Sequence, residues 1–401
     1  MHWLMIVAMV WGVVTLSMGE ELDKRWRSNK NCEACHQAIS KKWETSRHAN
    51  SHFSKNDLFK KSLEYIIRKN PTLILDEVKV ECAQCHNPRL AKTDVSNEEK
   101  VALLFEDADT KKKFHKMLEN TTMKNGINCL VCHNIDQIHL DKQKGSGGMK
   151  SVVFGPQGTM FGPFADAHSP YHKTEQRSHF VGDDPTLCFV CHYSQKNSNG
   201  LHVYATGIEY DRFATDNEGC KECHMSKRYK GVASNYSPSG GKPKERMVRE
   251  HRFASVDNSN ILNDYVSLKS HTEGDLFVIE VKNDAPHKIP TGYGLREIIL
   301  TVIFMDKNDK VLKKIRYTMS TKWADEEGKE TIPHLAKKVL KDTRMNGKST
   351  NAYKFRIPQG AVYAKYSLSY RLVPDGLAKE LGITDPFFLK EYTFTEQRVH
   401  L

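Results

Sequence analysis

Two thiols three positions apart, with an imidazole directly after the second, recur five times along this chain. The copies are Cys32-Glu-Ala-Cys35-His36, Cys82-Ala-Gln-Cys85-His86, Cys129-Leu-Val-Cys132-His133, Cys188-Phe-Val-Cys191-His192 and Cys220-Lys-Glu-Cys223-His224, and they use all ten cysteines. C-x-x-C-H is the attachment signature of haem c. Two thiols add across the two vinyl groups of one porphyrin, and the next histidine reaches the iron as proximal ligand. Zinc would join two C-x-x-C pairs per ion and has no use for a histidine directly after each pair. Disulfides would not hold every pair at one spacing. The five motifs therefore predict five covalent haem groups per chain. Cys32, Cys35, Cys82, Cys85, Cys129, Cys132, Cys188, Cys191, Cys220 and Cys223 are the attachment residues, and His36, His86, His133, His192 and His224 the proximal ligands.

Haem is attached to cysteine outside the cytoplasm, so the chain is expected to carry an export signal. Trp3 to Leu16 form an apolar run, and Ser17-Met18-Gly19 offers small residues before the charged Glu20 to Arg25. Cleavage after Gly19 is the expectation, with residues 1–19 as signal peptide. The amino end has only His2 where a signal usually has Lys or Arg, which keeps an uncleaved anchor as the alternative, although the run is short for a span of about 20 residues. No cysteine follows it to carry a lipid, and no second segment is long enough to cross a bilayer. The mature protein is expected in the periplasm or outside the cell.

With 401 residues the chain has room for two domains, and the motifs divide it unevenly, since none follows His224. A mean hydropathy of −0.59 with 27 % charged residues describes a chain poor in apolar side chains. Five large macrocycles would supply the missing core. The formal charge of +11 does not point to nucleic acid. Each haem brings about two propionate charges and returns about one at ferric iron, so much of the excess cancels. Basic stretches such as Lys111-Lys112-Lys113 and Lys242 to Arg249 read as solvated surface or as steering for an acidic redox partner.

The elements that hold the motifs follow from periodicity. Leu58, Phe59, Leu63, Ile66 and Ile67 have helical spacing, and Asn70-Pro71 closes that helix. Ser96-Asn-Glu-Glu99 is a capping box, and Phe114, Met117 and Leu118 mark an amphipathic helix after Asp109. Lys144 to Pro163 is rich in glycine and reads as a loop over haem, as does Tyr236 to Pro243. After about residue 265 the period becomes two, through Phe277, Ile279 and Val281, then Tyr353, Phe355 and Ile357, then Val362 to Leu372, with Pro374-Asp375-Gly376 as a turn and Ile298 to Met305 apolar on both faces. The expected architecture is a mainly α and irregular multihaem domain over residues 20–264, wrapped around its haems, and then an antiparallel β-sandwich of immunoglobulin-like kind over 265–401.

Each six-coordinate iron needs a second axial ligand, and nineteen histidines leave many candidates. Cys35-His36 followed by Trp43 and Ser46-Arg-His48-Ala49, Gly126-Ile-Asn-Cys129, Ser169-Pro-Tyr-His172 with Ser178-His179, Cys223-His224-Met225 with Arg249-Glu-His251-Arg-Phe253, and His287-Lys-Ile-Pro290-Thr-Gly292 occur in that order. Over most of residues 30 to 305 the chain thereby resembles multihaem cytochromes of the broad group that includes the tetrahaem cytochrome of the hydroxylamine-oxidation pathway. It departs from them at Ser226, where a proline often stands. The resemblance implies bis-histidine ligation, with His48, His172, His179, His251 and His287 as distal ligands and His52, His115, His168 and His202 in reserve.

Two classes of function fit. An electron carrier needs haems close together, each closed by two protein ligands. An oxidoreductase for a small nitrogen or sulfur compound needs one open iron, and no C-x-x-C-K variant of the kind used by nitrite-reducing multihaem enzymes is present. The carrier is the reading the motifs favour, working between redox proteins such as other cytochromes or a quinol-linked donor. No nucleic acid is expected. Peripheral membrane contact, homo-oligomers, and a β domain that docks a partner or joins subunits into a chain of haems are compatible additions.

Overall fold

The computed structural model describes residues 30–90, 92–215, 218–237 and 240–401. The expected signal peptide and its cleavage after Gly19 lie outside them. Among the described residues no helix is long and apolar enough to cross a membrane.

The first half is built from short helices. Asp57–Lys69 begins at Asn56, whose side chain accepts from the Phe59 amide, and ends at Asn70. Its apolar side chains recur every three or four positions, so one stripe is buried. Ser96 and Glu99 form the expected capping box at the start of Asn97–Leu104. Asp107 caps Ala108–Glu119, which buries Phe114 and Leu118. These helices close a small apolar core around Val80, Leu103, Phe114, Leu118 and Met123. The glycine-rich stretch expected as a loop holds two short strands. Val152–Phe154 pairs with Ile135–Ile138, and Thr159–Gly162 runs parallel to Lys173–Gln176.

The second half is a sandwich of two antiparallel sheets. One has three strands in the order Ser349–Arg356, Leu276–Asn283, Val266–Glu273; the other has four, in the order Val311–Met319, Glu297–Met305, Tyr363–Arg371, Glu391–His400. Alternation along Leu276–Asn283 turns Phe277, Ile279 and Val281 into the space between the sheets, where Phe277 meets Phe304 and Tyr366 edge-on. Glu297–Met305 is buried on both faces because it is an inner strand of its sheet and other elements cover its second side. The edge strand Val311–Met319 carries lysines and stays exposed along its first half, as an unpaired edge requires. Pro374-Asp375-Gly376 opens the helix Asp375–Leu381 where a turn was expected.

The two halves are joined more closely than the sequence division at 264/265 suggests. Leu58, Tyr65 and Ile66 of the helix Asp57–Lys69 belong to the sandwich core. The Tyr65 hydroxyl donates to Glu380 at 2.9 Å, Asp57 accepts from the amides of Thr384 and Asp385, and Asn197 donates to the carbonyls of Pro333 and Ala336.

Candidate functional site: an interior cavity lined by paired imidazoles

A cavity of about 2120 Å³ runs through the molecule, and all ten cysteines face it. That volume exceeds the roughly 300–1,000 Å³ of an ordinary single-ligand pocket. Four motifs end short helices, Leu75–His86, Cys129–His133, Thr186–His192 and Cys220–His224, and His36 opens Gln37–Glu44. One helical turn puts residues three apart on one face, so the C-x-x-C spacing aims both thiols into the same space. The motifs also touch one another. Cys32 lies within hydrogen-bond reach of Cys129, Cys85 of Cys191, and Cys188 of Cys220. None of the ten is in a disulfide.

Four motif histidines stand opposite a second imidazole at nearly one distance. Ring centroids are 6.3 Å apart for His36 and His172, 6.1 Å for His48 and His192, 6.2 Å for His133 and His251, and 6.4 Å for His224 and His287. A metal–imidazole bond of about 2.0 Å plus about 1.1 Å from that nitrogen to the ring centre puts two axial imidazoles about 6.2 Å apart across one metal ion. Unbridged rings in a packed core have no reason to keep that gap. His86, the fifth, lines the cavity together with His334, whose proton affinity it lowers further.

The nitrogens are oriented for the same task. The Nδ1–H of His36 donates to Ala233 O at 2.7 Å, that of His133 to Phe161 O at 2.7 Å, that of His251 to Arg249 O at 3.1 Å and that of His287 to Lys288 O at 2.9 Å. A carbonyl can only accept, so in each ring Nε2 is left with its lone pair for a metal. Burial holds the rings neutral: it pushes His48, His224, His251 and His334 down to about 4 and His192 to about 3, with neighbouring imidazoles adding to the effect. His86, His192 and His224 nevertheless expose ring surface deep inside the protein, because that surface faces the cavity. Among the described residues no group of three or more His, Cys, Asp or Glu side chains converges on a point as a zinc site would. Paired imidazoles, thiols aimed at an apolar cavity and neutral rings fit haem c.

The structure brings together His48, His172, His251 and His287 with motif histidines, and it sets His179 apart. His179 is off the cavity wall, bonded to the Ile135 backbone and packed on Phe180, with Phe180 between it and His133. His334, from the segment before the strand Lys338–Asp342, lines the cavity near His86. No motif marks His334 in the sequence; its one signal is a histidine flanked by Pro333 and Leu335 in a domain otherwise short of reasons for one. Of the reserves, His52 is spent on structure: its Nδ1 accepts from the Ser54 amide at 3.1 Å and its Nε2–H donates to Leu118 O at 2.9 Å. His168 lines the cavity, and His115 and His202 do not.

Residues 31–134 match the family model described as cytochrome c554 and c-prime. A penta-heme cytochrome c552 from Thermochromatium tepidum has the same fold, with a TM-score of 0.70 at 17% identity over 94% of this chain and 99% of that one. The hypothetical protein PH1083 from Pyrococcus horikoshii OT3 aligns with 34% of this chain and 87% of its own at 8% identity, with a TM-score of 0.15, too low to carry an argument. The putative ApaA protein from Bordetella pertussis is similar in that respect, at 11% identity over 33% of this chain and 88% of its own with a TM-score of 0.17. No curated protein matches the chain.

Proposed function

We propose that this chain, which has the fold of a multihaem c-type cytochrome followed by a C-terminal β domain, is an exported electron carrier holding five haem c groups, each between two imidazoles. Haem c supplies the one-electron couple of its iron. The carrying observation is that four motif histidines have a second imidazole across the cavity, His172 for His36, His251 for His133, His48 for His192 and His287 for His224, and we assign His334, which lines the same cavity, to His86. Histidines on both sides of a bound haem would leave no place for a substrate, which favours the carrier over an oxidoreductase with an open iron. Two neutral imidazoles per site also favour a low reduction potential.

The cysteines would hold the groups in place, and the Nδ1–H bonds of His36, His133, His251 and His287 fix those rings so that little needs to reorganise when charge changes. A partner protein comes nearest at the first motif. His172 is only half-buried, its neighbour Tyr171 is 68 % exposed and packs edge-on against Tyr236, and Lys173, Lys242 and Lys244 follow close after these two tyrosines in the chain. That surface suits the acidic face of another redox protein. Export through residues 1–19 agrees with the compartment in which the cysteines are loaded.

Mass spectrometry of the protein matured with a haem-attachment system tests the count, and carbon monoxide titration of the dithionite-reduced protein tests the closure. Five haem masses and almost no carbon monoxide uptake are expected. Two or three haems with free cysteines overturn the five-haem reading, and one equivalent of tightly bound carbon monoxide turns the assignment toward an enzyme.

A further inference from the structure

Charged groups on the cavity wall are mostly matched by an opposite charge, as Arg249 is by Glu222. Arg296 is different. It faces the cavity just ahead of the strand Glu297–Met305, and its hydrogen-bond partner is the carbonyl of Thr291, 2.7 Å from Nη1. Among the described residues no carboxylate lies within ion-pair distance of it, and the adjacent Glu297 is committed to Arg371 at 2.6 Å. A guanidinium has five donors in a planar fork, so most of this one is open to the cavity. Its mooring is firm. Thr291 in turn donates through its hydroxyl to Glu209 at 2.6 Å.

The position lies between two imidazole pairs. Its anchor Thr291 lies four residues after His287, which pairs with His224 at 6.4 Å, and the Thr291 hydroxyl is 3.1 Å from that of Thr206, whose neighbour Gly207 donates through its amide to the carbonyl of Tyr193, directly after the fourth motif, so the fork sits by both the fourth and the fifth motif. An enclosed cation without a counter-ion is strongly unfavourable, and a fork open to the cavity asks for a carboxylate that the chain does not provide. Each haem c carries two. We propose that Arg296 binds haem propionates at the fourth and fifth motifs and that its fixed charge raises the reduction potential there. This rests on the five-haem reading. The sign follows from the couple: the ferric group bears one more positive charge than the ferrous, so a nearby cation disfavours the oxidised form and makes uptake of one electron easier.

Potentiometric titration followed by optical spectroscopy of the purified holoprotein tests this, with wild type, Arg296→Gln, Arg296→Lys and the exposed control Lys314→Gln. In Arg296→Gln one or two of the five components are expected to shift about tenfold toward the oxidised form, about 59 mV for a one-electron couple, to more negative potential. The lysine variant should recover most of that shift, and the control should match wild type. Five retained haems with wild-type potentials in Arg296→Gln, or an equal shift of all five components, overturn the proposal. Should the glutamine variant fail to mature, Arg296→Lys decides: potentials near wild type support the role of the charge, and a full-sized fall overturns it. Fewer than five haem masses in the wild type would instead remove the reading beneath it.

Discussion

The imidazole of His287, in the loop that leads into the β domain's inner strand, stands 6.4 Å from that of His224, the last residue of the fifth motif. A second residue of the β half, His334, shares the cavity with His86 of the second motif. The C-terminal half therefore forms part of the cavity wall and supplies one ring of the four pairs. A segment without a single cysteine thus helps to line the cavity that all ten cysteines face.

Alanine replacements separate His334, which lines the cavity near His86, from His179, which is off its wall. His334→Ala removes the ring proposed as the partner of His86 while both thiols and His86 remain, so the reduced variant is expected to gain about one equivalent of carbon monoxide binding with all five haems kept. His179→Ala, behind Phe180, should gain none. Uptake by the His179 variant, or none by the His334 variant, reverses the assignment.

The joint between the halves is a packing contact with a measurable weight. Tyr65 is 2 % exposed and belongs to the sandwich core although its helix lies in the haem half. Truncating a buried aromatic to alanine typically costs about 3–5 kcal/mol. Tyr65→Ala should lower the denaturation midpoint of the whole holoprotein by that measure, and Tyr65→Phe, which loses only the bond to Glu380, by about 1 kcal/mol. A β domain that folds independently of the haem half would show little change in either.

His52 gives the fold a pH dependence with a definite sign. Burial lowers its proton affinity below the ordinary value of 6.5, and its Nδ1 already accepts from the Ser54 amide. The folded state binds this proton less well than the unfolded chain, so the contribution to stability is complete above about pH 6.5 and falls as the pH drops below that value toward the folded pKa. Urea denaturation between pH 7 and pH 5 should show wild type losing more stability than His52→Gln. Parallel slopes would show that His52 does not contribute.

The lysines around His172 give a prediction in ionic strength. If partners dock beside Tyr171, oxidation of the reduced protein by ferricyanide, an anion, should slow in Lys173→Glu/Lys244→Glu and lose much of its salt dependence, since steering by local charge is screened over about 8–10 Å at physiological salt. The same reversal at Lys313 and Lys314, on the far strand of the sandwich, should have a weaker effect. Equal effects at both places would point to net charge alone.

The attachment chemistry was legible in the sequence because haem c needs its thiols and first imidazole within five consecutive residues, and local spacing is written in the chain. The period-two stretches around Phe277 and Tyr366 were legible for the same reason, since a half-buried strand must alternate. The edge strand Val311–Met319 was not, because its exposed side tolerates Lys313 and Lys314 and hides the period. The second imidazoles were visible only where a flanking pattern resembled a family, as at His48, His172, His251 and His287. Only the tertiary structure shows His179 off the cavity wall and His334 on it. A distal ring has to be near its motif in space and nowhere in particular along the chain, so its place is decided by how the sandwich docks on the helices around the cavity.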